Sequence, residues 1–412
     1  MTKGFYTLLI AQFLSAIADN ALLFAAIALL SNLNAPEWHE PLLREFFVIA
    51  YIVLAPFVGP FADALPKGKV MFISNGIKLF GCVMALMGLP PLYAYAIVGV
   101  GAAAYSPAKY GILTEMLPSN LLIKANAWME GTTVTAIILG PVFGSTIAAA
   151  GFYQHLRLTQ LLNLNPALAP YYGIAIITLL YLLAAWFNLS IPKLPIDHKI
   201  PQKNLSFLIK DFWHAFTTLW KDPQGQVSLA VTTLFWGAGA TLQFVVLRWA
   251  NITLGMDEQS ATKLIAILAV GIAVGSVGAS LFVKLEHAVK VLPAGIFMGI
   301  LVMGMVFVET REVAAVMLFS IGVLAGYFLV PLNSLLQHRG HELLGAGHSI
   351  AVQNFNENIG ILVLLGIYTL MVHQNMPIKM IIIIFGAFVS ISMAVIFKLY
   401  RRQMMLTKNS ID

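Results

Sequence analysis

Twelve apolar runs follow one another along this chain with little between them but short polar punctuation. They cover residues 5–30, 44–61, 70–89, 92–113, 122–149, 171–190, 227–249, 262–281, 291–308, 313–337, 347–372 and 378–400. A helix rises 1.5 Å per residue, so roughly 20 apolar residues cross a hydrocarbon core about 30 Å thick. A backbone in hydrocarbon must satisfy its own N–H and C=O groups, which leaves the helix as the form for runs of this kind. Composition agrees: 59% of the 412 residues are hydrophobic and 10% charged, against about 25% charged in soluble domains. A water-soluble enzyme is excluded. The net charge of +6 does not point to nucleic acid, because the Lys and Arg residues sit in connectors rather than on one face. The first run is too long for a signal-peptide core and carries Asp19 and Asn20 in its middle, so it reads as a retained span. One cysteine, Cys82, excludes an internal disulfide and a cysteine-based metal cluster, and no metal or other cofactor is expected.

Lysine and arginine set the orientation. With the N-terminus inside, sixteen of them fall on the cytoplasmic side and five outside, while Lys78, Lys109 and Arg248 lie within spans. The asymmetry places both termini in the cytoplasm. The longest polar stretch, 191–225, holds four prolines and five lysines and divides the chain into a six-helix half at 1–190 and another at 226–412. The later part of this linker, 205–220, has apolar residues at helical spacing and reads as a helix lying along the membrane surface. The fold expected is an all-α integral membrane protein built from two related halves, a plan typical of transporters. The halves echo each other faintly. Pro107 and Lys109 in the fourth span correspond to Pro331 and Asn333 in the tenth, and Asn126 with Glu130 in the fifth to Gln353 with Glu357 in the eleventh.

Ionisable residues at membrane depth carry the functional information, since each costs roughly 2.5–3.5 kcal/mol at a span centre and generally faces a partner, cavity or substrate path. Gln12, Ser15 and Asp19 make one polar stripe on the first span. Glu130 shares a face with Asn126, and Glu357 is flanked by Gln353, Asn354 and Asn358. Asp19, Lys109, Gln243 and Asn333 occupy the first, fourth, seventh and tenth spans, which line the cavity in carriers of this architecture. Each has a purely structural alternative. Asp19 can pair with Lys109, Lys109 can snorkel to the interface, Asn126 and Glu130 can pack a cytoplasmic gate, and the Glu357 group can satisfy itself. Arg248, five residues beyond Gln243 and beside Trp249, reads as an interfacial anchor; Lys78 has no role legible in sequence.

Absent motifs also discriminate. No G-x-x-x-x-G-K-[ST], H-E-x-x-H or G-x-S-x-G occurs, so neither ATP-driven nor hydrolytic chemistry is expected. A few charges of both signs in very apolar helices suit a zwitterionic head group: carboxylates for an ammonium, a lysine for a phosphate, apolar walls for an acyl chain.

Two resemblances sharpen this. Residues 59–69, with Gly59, Asp63, Lys67 and Lys69, resemble the signature loop of the major facilitator superfamily; Gly59 allows close helix approach, and Asp63 can pair with a cation or cap a neighbouring helix. The corresponding second-half segment, 278–284, lacks the aspartate. More specifically, AQFLSAIADNALLFAAIALL at 11–30, GVGAAAYSPAKYGIL at 99–113, KANAWME at 124–130, FWGAGATL at 235–242, VPLNSLLQ at 330–337 and GAGHSIAVQNFNEN at 345–358 resemble the bacterial lysophospholipid transporter family. That resemblance implies a major facilitator fold in the inner membrane and movement of lysophosphatidylethanolamine-type lipids from the outer to the inner leaflet. There a separate acyltransferase coupled to acyl-carrier-protein synthetase would restore the second chain. It places Asp19, Lys109 and the Glu357 cluster with Asn354 and Asn358 at matching motif positions; Asn20, Gln243 and Asn333 are further candidate substrate contacts, and Gly59, Asp63, Lys67, Lys69, Asn126 and Glu130 are the gating candidates. Gln243 stands where the family often has arginine. A monomer is expected. A proton-coupled drug or metabolite antiporter, suggested by the Gly140-Pro141-Val-Phe-Gly144 string, and a non-transporting scaffold for the acyltransferase are the rival readings.

Overall fold

The computed structural model describes residues 2–36, 39–154, 165–194, 204–256 and 258–409; positions 195–203 of the expected linker and 155–164 of the outer connector lie outside them. Every regular element described is helical. Six helices belong to the first half's spans: α1 (Lys3–Asn32), α2 (His39–Ala64), α3 (Lys67–Leu86), α4 (Pro91–Met116), α5 (Ser119–Ile147) and, after the short α6 (Ala150–Gln154), α7 (Ala169–Leu189). Helix α8 (Leu205–Lys221) follows, then α9 (Pro223–Leu254), α10 (Glu258–Phe282), α11 (Leu292–Gly304) between two 3₁₀ segments, α12 (Arg311–Leu344), α13 (Ala346–His373) and α14 (Ile378–Asn409).

Ten of the described helical segments are long and apolar enough to cross a membrane on those criteria alone. Helices α4 and α5 complete the twelve. They have 26 and 29 residues, ample for a crossing, but are diluted by Gly, Ala, Thr, Asn and the charges of Lys109, Lys124 and Glu130. The tight link before α4 has a local cause. Gly88 takes φ +96°, Leu89 N–H bonds back to Met84 C=O at 2.9 Å, and Pro91 opens the next helix where no N–H partner is needed.

By contacts the chain forms two compact units. The first comprises 1–116, 135–212 and 345–351, and the second 117–134, 213–344 and 352–412. In the first, α1 and α3 pack on α7, α3 packs on α4, and α2 on α4. In the second, α9 and α11 pack on α14, α11 on α12, and α10 on α12. These are the same four pairings in corresponding helices, so the repeat faint in sequence is plain in packing. Small residues permit the closest of them: Gly271 and Gly275 of α10 face the backbone of α12, where Gly322 and Gly326 reciprocate. Gly140 and Gly144 of α5 lie against Asn20 and Ala21 of α1, which gives the Gly-Pro string a packing role.

Helix α8 is amphipathic, as its spacing requires. It buries Phe212, Ala215 and Leu219 and exposes Leu205, Ile209 and Trp213.

Candidate functional site

One turn of α1 and one of α3 build an ionic group around a fully buried lysine. Ser15 and Asp19 are four residues apart on α1, Asn75 and Lys78 three apart on α3, so each pair shares a face. Lys78 is fully buried, and its ammonium donates to both Asp19 oxygens at 2.8 and 2.7 Å and to Ser15 Oγ at 3.0 Å. Ser15 in turn donates to Asn75 Oδ1 at 2.8 Å. Tyr181 of α7 donates its hydroxyl to Asp19 Oδ1 at 2.7 Å. The rings of Tyr105 and Tyr181 lie 4.8 and 5.5 Å from the ammonium, close enough for cation–π attraction. Asp19 keeps 22% of its side chain exposed while Lys78 keeps 1%. The carboxylate therefore has a held inner edge and an open outer one, and its cation is out of reach. The partner of Asp19 is Lys78, not the Lys109 that sequence offered; Lys109 is half-buried with its ammonium 4.2 Å from the Tyr110 ring centre. Lys78 was visible in sequence as a stray charge in a span, but its role depends on α3 packing against α1 and α7, which no local pattern encodes.

The second unit gathers a different polar set. Gln353 Nε2 of α13 donates to Asn333 Oδ1 of α12 at 2.9 Å and to Glu357 Oε1 at 2.7 Å. Asn354 is buried beside them, whereas Asn358 donates to its own helix at Asn354 C=O. Asn20 likewise bonds back to Ala16 C=O at 2.8 Å. Gln243 is half-buried on α9. Asn126 exchanges two hydrogen bonds of 2.9 Å with Gln337 of α12, a partner that its own segment gives no sign of, and Glu130 is buried one turn further along α5.

Asp63 is bonded on both of its oxygens. Its Oδ1 accepts from Lys67 Nζ at 2.7 Å and Gly347 N–H at 2.8 Å; its Oδ2 accepts from His348 N–H at 3.0 Å and lies 2.6 Å from His348 Nδ1. Four donors match the roughly four acceptor positions of a carboxylate. Asp63 thus both pairs with a cation and caps the N-terminus of α13, where the helix dipole favours negative charge. Gly59 makes room, since a Cβ there would stand 3.0 Å from His348 Cα. Lys67 also reaches Glu115 at 3.1 Å, and His348 Nε2 reaches Asp211 of α8 at 2.9 Å. Lys69, by contrast, is exposed.

A bundle of apolar spans in two halves with the same helix pairing, carrying buried charges at depth, is the architecture of a membrane carrier. The profile of the Major Facilitator Superfamily matches residues 8–364. The lysophospholipid transporter LplT of Escherichia coli O1:K1 is 43% identical over 404 residues, covering 97% of each chain. The protein of the same name from Escherichia coli strain UTI89 shows the same figures. Among solved structures, the superfamily transporter FucP in its outward conformation is similar with a TM-score of 0.73 at 14% identity, over 97% of this chain and 98% of that one. A bacterial homologue of the iron transporter ferroportin, outward-facing, gives 0.72 at 16%, over 97% and 100%. At those identities the likeness concerns fold alone. This chain belongs to the Major Facilitator Superfamily.

Proposed function

We propose that this protein carries lysophospholipids across a bacterial membrane. The observation that carries the reading is 43% identity, over 97% of both chains, to relatives named lysophospholipid transporter. The Asp19 site supports it chemically. A carboxylate fixed on one edge by Lys78 and Tyr181 and open on the other suits the ammonium of an ethanolamine head group. Lys109, on α4, supplies a cation for the phosphate, and the Asn333–Gln353–Glu357 group and Asn354 supply polar contacts from α12 and α13. Gln243 contributes a neutral hydrogen bond, weaker than the charge-assisted one an arginine would make.

In this reading the protein sits in the inner membrane with both termini cytoplasmic, as the lysine and arginine bias requires. It alternates its access so that the head group crosses through polar surroundings while the single acyl chain stays in lipid. Transfer runs from the outer to the inner leaflet, where an acyltransferase re-acylates the product. Asn126, Glu130 and the Asp63 group hold the cytoplasmic ends during the cycle. Transfer of labelled lysophosphatidylethanolamine between leaflets of proteoliposomes, with and without an imposed proton gradient, tests the reading. Transfer without a gradient supports it. Transport of other solutes that collapses with an uncoupler, with no lipid movement, would favour a proton-coupled antiporter instead.

A further inference from the structure

Away from Asp19, the second unit holds a cavity of about 450 Å³ where the end of α9 meets the link between α13 and α14. Ligand pockets commonly fall in the range of about 300–1,000 Å³. Two cations line this one, Arg248 of α9 and Lys379 of α14, with Thr253 and Asn375 as neutral polar groups. Among the described residues lining it none is acidic, and among the described residues neither cation forms an ion pair. Arg248 is half-buried and bonds with the Tyr368 hydroxyl, a neutral partner that orients the guanidinium without cancelling its charge. The start of α14 adds to the field. Pro377 has no side-chain oxygen to cap it, and its C=O takes the N–H groups of Met380 and Ile381 at 2.9 and 3.1 Å. The first-turn N–H groups of Ile378 and Lys379 stand at the positive end of a 32-residue helix. The remaining wall is apolar: Ile252, 58% exposed, and Met376.

A guanidinium, an ammonium and a helix N-terminus facing one volume recognise an oxyanion, and an apolar rim beside them suits an oxyanion attached to a hydrocarbon. We propose that this cavity binds the phosphoryl group of a lysophospholipid at the membrane face where α9 ends, as a loading subsite separate from Asp19. The proposal rests on the lipid-carrier reading. Arg248 lies five residues, about 7.5 Å of helix, beyond Gln243 and roughly 140° around from it. The subsite is therefore a different place from position 243.

Binding, rather than transport, is the test, so that failure of the carrier reading stays distinguishable. The full-length protein in maltoside micelles would be titrated with lysophosphatidylethanolamine, with the phosphate-free monoacylglycerol of the same chain, and with inorganic phosphate. The variants are Arg248→Gln, Lys379→Gln, their combination, and Lys263→Gln as an equal charge change elsewhere. Each charge-assisted hydrogen bond contributes about 1.5–3 kcal/mol, so losing one to a phosphate weakens binding about tenfold or more. The expected result is a rise of about tenfold in the lysophospholipid Kd for Arg248→Gln and a larger one for the pair. Monoacylglycerol binding and the Lys263→Gln variant stay unchanged. Equal losses for both lipids, an equal effect of Lys263→Gln, or unchanged binding in the double variant would each overturn the subsite. Inorganic phosphate binding that disappears in the double variant while lysophospholipid binding persists would overturn the lipid assignment in favour of free phosphate.

Discussion

Asp19 and Asp63 are both aspartates within spans of the same compact unit, and they are held differently. Asp63 has four donors around its two oxygens and a side chain 3% exposed, so nothing further can bind it. Asp19 has Lys78 and Tyr181 on one side and 22% exposure on the other. A saturated carboxylate ties elements together: here the ends of α2, α3 and α4, the start of α13 and, through His348, the amphipathic helix α8. A carboxylate open on one edge can exchange that edge with a ligand. The difference separates the scaffold of this carrier from its candidate contact with substrate.

The largest expected effect comes from breaking the saturated site. Asp63→Ala leaves Lys67 buried without its nearest anion and uncaps α13; losing one member of a buried pair costs about 3–5 kcal/mol. Thermal unfolding in detergent should show a large fall in Tm, and transport should fall with the amount of folded protein.

The open site sharpens the contrast through a double-mutant cycle. Asp19→Asn alone leaves Lys78 fully buried and uncompensated and should destabilise by about 3–5 kcal/mol, whereas Lys78→Met alone strips the cation from a carboxylate that keeps some exposure and should cost less. The pair Asp19→Asn with Lys78→Met should recover most of that stability and none of the transport. Recovery of both would make the ion pair purely structural and erase the distinction from Asp63. A smaller change is Tyr181→Phe, which removes one hydrogen bond from Asp19 Oδ1. About 0.5–1.5 kcal/mol is at stake, so the transport rate should fall by no more than about tenfold with Tm nearly unchanged.

The fold was legible because hydropathy at span length is a one-dimensional signal. Twelve runs, the two-half plan and the amphipathic helix at Leu205–Lys221 could all be read from the chain. Individual polar residues were legible as anomalies in hydrocarbon, which is how Asp19, Glu357 and Asn126 stood out. Their partners were not. The Asp19–Lys78 pair joins residues 59 positions apart, Asn126–Gln337 spans 211, and His348 meets Asp211 across 137. Such pairings depend on which helices pack, and periodicity along one helix does not carry that information. Asn20 and Asn358 show the converse: polar residues prominent in sequence whose amides return to their own helices.

We propose that Asp19 contacts the substrate while Asp63 does not. The most direct measurement is leaflet-to-leaflet transfer of labelled lysophosphatidylethanolamine in proteoliposomes containing wild type or the Asp19→Asn, Lys78→Met pair, each first shown to be folded and monodisperse. The account predicts transfer by wild type and only background transfer by the folded double variant. Wild-type transfer rates in that variant would contradict it.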